Sequence, residues 1–98
     1  MRIKLNHDQI EKGFTALNEG AAECWTLENA KLHREFVFEN FVQAFGFMTK
    51  VALLAQEMDH HPNWENVFNR VTIALTTHDV GGISSLDFEL AHKINAAL

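Results

Sequence analysis

The best-defined strand pattern in the chain is residues 70–78, Arg-Val-Thr-Ile-Ala-Leu-Thr-Thr-His. Val71, Ile73 and Leu75 alternate with more polar residues, and a period of two is typical of a strand that buries one face. We therefore predict a strand with these three residues facing the core. The same alternation predicts that His78, near the end of the strand, lies on the opposite face.

Two further regions have strand patterns. Residues 64–68 predict a short strand that joins the first one through a two-residue turn at Asn69-Arg70. Residues 25–28 and 32–38 also alternate, and a turn-forming stretch separates them, so they predict a second hairpin.

Three segments have helical periodicity, and each begins with a predicted capping box: Asn6 with Gln9, Asn40 with Gln43, and Ser84 with Asp87. The first helix is predicted over about residues 7–18 and the second over residues 41–58. The second ends at His60-His61-Pro62, because Pro62 cannot continue the hydrogen-bond ladder and disfavours a helical residue before it. The third helix follows Ser84.

The predicted order of elements is αββαββα. Two hairpins separated by a helix favour a four-stranded antiparallel sheet with three helices packed on one face, which is an α+β fold. A chain of 98 residues is one domain, which we place at residues 1–98. The predicted core consists of Phe14, Leu17, Trp25, Leu27, Phe36, Phe38, Phe45, Met48, Val71, Ile73, Leu75, Leu90 and Ile94.

The second helix has an apolar surface too wide for one contact. It spans roughly twice the ~100° that a surface helix needs. One stripe consists of Phe41, Phe45, Met48, Ala52 and Ala55, and the adjacent one of Phe47, Val51, Leu54 and Met58. One stripe can pack on the protein's own sheet, which leaves the other for a partner chain.

Composition excludes several classes of protein. The hydrophobic content of 47% and charged content of 21% are those of a globular domain. A net charge of -5 without a Lys/Arg cluster argues against direct nucleic-acid binding. No apolar run reaches the ~20 residues of a membrane span, and residues 1–8 do not resemble a signal peptide. Together with the single cysteine, Cys24, these features predict a cytoplasmic protein without a membrane partner.

Asp59-His60-His61-Pro62-Asn63-Trp64, followed by His78, is the segment with the most chemistry. Histidine can give and take a proton near neutral pH. Three imidazoles with a carboxylate and an indole indicate an acid/base site for a planar polar ligand. A histidine at a helix C-terminus is favoured as a cation, so it either stabilises the helix or stays protonated and acts as a general acid.

Structural explanations stay open for the other candidates. Trp64 is either a core residue or a stacking surface, and Asp87 is explained by its helix cap. A metal site is disfavoured because adjacent histidines project poorly toward one ion and Cys24 has no cysteine partner. The remaining histidines have no partner pattern and are interpreted as solvated surface: His7, His33 and His92.

Taken together, these motifs resemble the pterin-4a-carbinolamine dehydratase family. The resemblance rests on Asp59-His60-His61-Pro62, Trp64, Asn66-Val67, Thr77-His78, Gly82-Ile83 and Asp87, and on the segment Ala44–Thr49 of the long helix. The family's fold is an α+β domain with three helices on one side of a four-stranded antiparallel sheet. One departure is Gln56, because the family commonly has an acidic residue there and this chain has Glu57 one position later.

The resemblance implies a hydro-lyase that removes water from 4a-hydroxytetrahydropterin and gives quinonoid dihydropterin, as in tetrahydrobiopterin recycling. It implies no metal, nucleotide or redox cofactor. It also implies a homodimer or homotetramer that assembles through helix 41–58 and the sheet edges.

The resemblance also implies roles for individual residues. His60 and His78 are candidate general acids toward the leaving hydroxyl, and His61 would hold the ring and assist at N5. Further residues are expected to line the pocket or support it: Asp59, Trp64, Thr76, Thr77, Asp79 and, as a supporting residue, Asp87. The alternative is an interaction or dimerisation module that acts on a regulator through its apolar helix.

Overall fold

The structure is a computed structural model that describes residues 2–20 and 24–98. Its elements are α1 (His7–Asn18), β1 (Thr26–Glu28), β2 (Lys31–Val37), α2 (Phe41–Met58), β3 (Asn63–Val67), β4 (Arg70–Leu75), a short 3-10 helix (His78–Val80) and α3 (Ser85–Ala96). The order of helices and strands, and the α+β class, are those predicted. Among the described residues, no helix is both long and apolar enough to cross a lipid bilayer.

The four strands form one antiparallel sheet in the order β1-β2-β4-β3. β4 is flanked by β2 and β3, and Val71, Ile73 and Leu75 on its inner face are fully buried. In the sheet register, Phe36 of β2 is the partner of Val71, so it lies on the same face. This face and the helices enclose the core, which is why the alternation of β4 is the clearest pattern in the chain.

Most of the predicted core is buried, but the predictions that Leu27 and Phe45 are core residues were wrong. The side chain of Leu27 is 47% exposed, because all three residues of the edge strand β1 are exposed. Phe45 is 56% exposed, because α2 turns a different side toward the sheet. The buried residues of α2 are Ala44, Phe47, Val51 and Ala55. Phe14, Phe38 and Met48 are half-buried against the core.

The ends of β2 and β3 differ from the prediction. The register of β3 with β4 leaves Phe68 and Asn69 as the hairpin turn, one residue earlier than predicted. Phe68 has a positive φ of 51° and is exposed. β2 ends at Val37, but Phe38 and Asn69 continue the pairing, since the Phe38 N–H donates to the Asn69 carbonyl at 2.8 Å.

β4 ends at Leu75, so the placement of His78 on a strand face was wrong. After Leu75 the chain turns, and Thr77 pairs with Gly82 in an isolated bridge. The Thr77 N–H donates to the Gly82 carbonyl at 2.8 Å, and Gly81 adopts a left-handed φ of 67° that closes the turn. His78 therefore begins the 3-10 helix inside this turn.

The end of α2 directs the next two histidines. Asp59 adopts a left-handed conformation with φ 50° and ψ 43°, as residues just past a helix often do. The N–H of His60 then turns back to the carbonyl of Ala55 at 3.0 Å. The chain therefore leaves the helix in a tight turn that places His60 inside and His61 outside.

Candidate active site

One pocket collects the predicted histidines. Its volume is about 160 Å³, and the loop after α2 and the turn after β4 supply most of its wall. The lining residues are Arg2, Asp59, His60, His61, Thr76, His78 and Asp79. A larger groove of about 620 Å³ lies along α1, but no histidine lines it.

His60 is the buried member of the group. Its side chain is 4% exposed, and its Nε2 lies 2.6 Å from Oδ1 of Asp87. An ionised carboxylate can only accept hydrogen bonds, so Nε2 carries the proton in this pair. The free ring position of His60 is therefore Nδ1, and any proton exchange with a ligand has to use that atom.

Asp87 is held by a chain of hydrogen bonds. It is the third residue of α3, where its predicted capping box with Ser84 is present. Its Oδ2 accepts from the Thr77 hydroxyl at 2.8 Å and from the Ser84 N–H at 2.9 Å. Thr77 has one hydroxyl proton, so the 2.7 Å contact between the two hydroxyls must be donated by Ser84.

The structure does not bring Thr77 and Trp64 to the pocket wall. Thr77 is fully buried and lies behind the pocket, where it orients Asp87. Trp64 is half-buried on β3 and borders a separate depression together with His33 and Ala74. Direct contact of either residue with a ligand stays a prediction.

His61 is exposed at the mouth of the pocket and contacts the residue in which this chain departs from the family pattern. Its Nε2 lies 3.0 Å from Oε1 of Gln56. An amide oxygen accepts a hydrogen bond, so Nε2 is the protonated nitrogen and Nδ1 keeps a lone pair. Gln56 therefore orients the ring without adding a negative charge.

The opposite wall comes from the 3-10 helix and from a residue that sequence reasoning missed. His78 and Asp79 are exposed there. The guanidinium of Arg2 donates through Nη2 to the carbonyl of Asp59 and lies, through Nη1, 3.3 Å from Oδ2 of Asp79. Arg2 carries no local motif, and its partners are 57 and 77 residues away, so one sequence contains no signal for this contact.

The other histidines are outside the pocket. His7 and His92 are exposed, as interpreted from the sequence. For His33 that interpretation was wrong, because the residue is half-buried and its Nδ1 lies 3.0 Å from Oε2 of Glu28. Within residues 2–20 and 24–98, no group of three or more His, Cys, Asp or Glu side chains is arranged to hold a metal ion.

Comparison with known proteins identifies the family. A family model described as "Pterin 4 alpha carbinolamine dehydratase" matches residues 3–97. The chain belongs to this family. Two relatives in the pterin-4a-carbinolamine dehydratase family carry the name "Putative pterin-4-alpha-carbinolamine dehydratase". The one from Solibacter usitatus (strain Ellin6076) is 54% identical over 96 residues, which cover 98% of this chain and 96% of the relative. The one from Chelativorans sp. (strain BNC1) is 50% identical over 97 residues, which cover 97% and 94%.

Solved structures agree with this assignment to the dehydratase family. A transcriptional coactivator/pterin dehydratase from Brucella melitensis superposes with a TM-score of 0.87 at 37% identity, covering 97% of this chain and 98% of the other. A pterin dehydratase-like protein, described as a RuBisCO assembly factor in the alpha-carboxysome, has a TM-score of 0.63 at 22% identity, covering 80% and 90%. The second likeness concerns the fold alone.

Proposed function

We propose that this protein dehydrates 4a-hydroxytetrahydropterin to quinonoid dihydropterin by histidine general acid–base catalysis. Membership of the dehydratase family supports the reaction class. The observation that carries the proposal is the buried His60–Asp87 pair at 2.6 Å, in a pocket whose wall also includes His61 and His78. The proposed reaction uses no metal, nucleotide or redox cofactor, and we place it in the cytoplasm.

In the proposed mechanism an acid removes the hydroxyl group. His60, through Nδ1, or His78 gives a proton to the hydroxyl on C4a, and the C4a–O bond breaks as water leaves. The N5 lone pair forms the new C4a=N5 double bond. Asp87 supports this step by fixing the orientation of the His60 ring, because its carboxylate lies 2.6 Å from Nε2.

A base then completes the reaction at N5. His61 is the candidate, since its Nε2–H donates to Gln56 and its Nδ1 keeps the lone pair that accepts the N5 proton. The proton returns from the base to the acid through solvent, and the products are quinonoid dihydropterin and one water. Acid–base catalysis of this kind contributes ~10² to 10⁴ in rate.

The size of the pocket limits what enters it. At about 160 Å³ it is smaller than the ~300–1,000 Å³ of sites that enclose whole ligands. We therefore propose that the pocket takes the reacting part of the bicyclic ring and that the side chain at C6 stays in solvent.

The test is a stopped-flow absorbance measurement of carbinolamine generated in place by a hydroxylase. We expect rapid decay with the wild-type chain, and rates at least ~10-fold lower with His60→Ala and with His78→Ala. His92→Ala is the matched control, because His92 is exposed on α3 and outside the pocket. Near-wild-type rates in both pocket variants, with the fold intact, would reject the proposed roles.

We also propose that the chain forms a homodimer or homotetramer through α2 and the sheet edges. Support comes from the outer side of α2, where Phe41, Val42, Phe45 and Leu53 are 48% to 77% exposed. Within the part of the chain that the structure describes, β1 and β3 are the two edge strands of the sheet. The same apolar surface favours the second candidate function, docking to a regulator, which predicts tight association with that protein without any effect on the dehydration rate.

A further inference from the structure

The segment that precedes α1 is attached to the chain that leads into α3. The Leu5 N–H donates to the carbonyl of Ile83 at 2.8 Å, and Lys4 forms an isolated antiparallel bridge with Ser84. These backbone contacts hold the chain beside the segment that leads into α3. Arg2 is therefore delivered to the pocket by an anchored backbone, which reduces the conformational freedom that its side chain must lose.

From this position Arg2 joins the two segments that carry the histidines. An arginine has five N–H donors in a planar fork, so it can bind two acceptors in fixed directions. Here one arm reaches the carbonyl of Asp59 and the other lies 3.3 Å from the carboxylate of Asp79. The side chains of Arg2 and Asp79 are 31% and 68% exposed, so their ion pair adds little stability. Its consequence is geometric.

The bond to Asp59 acts on the peptide unit that begins His60. The N–H of this unit donates to the carbonyl of Ala55 at 3.0 Å, and its carbonyl oxygen accepts from Arg2. The peptide plane is thus held from both sides. Asp59 is left-handed, a conformation that non-glycine residues rarely adopt, so this plane is a point where the loop could otherwise rotate.

We propose that Arg2 is a positioning residue of the pocket. It holds the peptide plane before His60 and the turn that contains His78, and it thereby keeps the imidazoles on the two walls at the separation that the reaction requires. This inference rests on the proposed function for its kinetic consequence, but the placement of the histidines can be measured without it.

The kinetic test separates positioning from simple attraction of the ligand. For Arg2→Ala we expect kcat to fall ~10-fold with a smaller change in KM, because misplaced catalytic groups slow the chemical step. Arg2→Lys keeps the charge but lacks the planar fork, so it should keep KM and recover kcat only in part. Arg70→Ala is the matched control, since Arg70 lies on a hairpin away from the pocket, where it faces Glu35 at 3.8 Å. A raised KM with unchanged kcat would overturn the inference.

A second test does not depend on activity. We expect Arg2→Ala to shift the ring and backbone NMR signals of His60, His61 and His78, and Arg70→Ala to leave them in place. In the Asp79→Asn background, Arg2→Ala should shift these NMR signals less than it does in the wild type, because the ion pair between Arg2 and Asp79 is already lost. Unchanged signals in Arg2→Ala, with the fold intact by circular dichroism, would overturn the inference. A wild-type chain that does not dehydrate the carbinolamine would instead reject the proposed function, and the NMR comparison would still decide the role of Arg2.

Discussion

The sequence position of His60 allows two explanations, stabilisation of the end of a helix and a place in an acid/base site, and the structure is compatible with both. It follows the end of α2, where a histidine can stabilise the helix, but its ring turns inward and bonds Asp87. Asp87 in turn is both the residue that completes the α3 capping box and the acceptor for His60. A helix cap and the proposed catalytic pair therefore share one carboxylate, and local sequence could predict only the cap.

Replacing Asp87 tests this double role. Asp87→Asn removes the charge that faces His60 and disturbs a fully buried hydrogen-bond network, so we expect ~2–4 kcal/mol lower stability and a dehydration rate lower by ~10-fold or more. The measurements are urea unfolding and single-turnover decay of the carbinolamine. Asp8→Asn is the matched control, because Asp8 is also acidic in a first helical turn. It should lose no more than ~1 kcal/mol and keep its rate. Equal behaviour of the two variants would contradict the role given to Asp87.

At the scale of elements, local rules predicted what depends on local chemistry. Capping residues located the starts of the helices, and the alternation in β4 located the buried centre of the sheet. The predicted capping boxes of α1 and α3 are complete, but in α2 only the Asn40 half forms, because Oε1 of Gln43 accepts from the Glu39 N–H. The errors arose where tertiary placement decides. Leu27 fits the alternation but lies on an edge strand that is wholly exposed. Phe45 lies on the outer side of a helix whose apolar surface is too wide for one contact. The alternation also predicted that the strand continues through Thr76 and Thr77. In the structure β4 ends at Leu75, and the chain enters the turn that Gly81 and Gly82 close.

The outer side of α2 gives the prediction that belongs to this scale. In analytical ultracentrifugation we expect the wild-type chain to sediment as a dimer or tetramer. Phe45→Lys should lower the mass of the assembly, because a charge cannot be buried unpaired in an apolar interface. Phe68→Lys is the matched control. Phe68 is 64% exposed, similar to the 56% of Phe45, but it lies at the β3–β4 turn. A monomeric wild type, or an unchanged mass for Phe45→Lys, would remove α2 from the assembly.

At the scale of the whole molecule, the pocket is built by contacts that span the chain. The loop after α2, the turn after β4 and the segment before α1 meet there, and α3 supplies Asp87 from behind. Six of the seven lining residues lie in two short segments of the sequence, and the resemblance to the family had made all six candidates. Arg2 was missed because only the fold brings it near Asp59 and Asp79. Thr77 was expected at the wall and lies behind it, since the turn after β4 directs its side chain toward Asp87.

In the proposed mechanism, His60, His61 and His78 all face one bound pterin ring. The most direct measurement is an NMR titration of the histidine ring signals with an unreactive pterin, such as a fully oxidised one. We predict that the signals of these three residues shift together along binding curves with one shared Kd, while those of His7, His33 and His92 stay in place. Saturating binding that shifts the ring signals of His7, His33 or His92, and leaves those of the three pocket histidines unchanged, would contradict this arrangement.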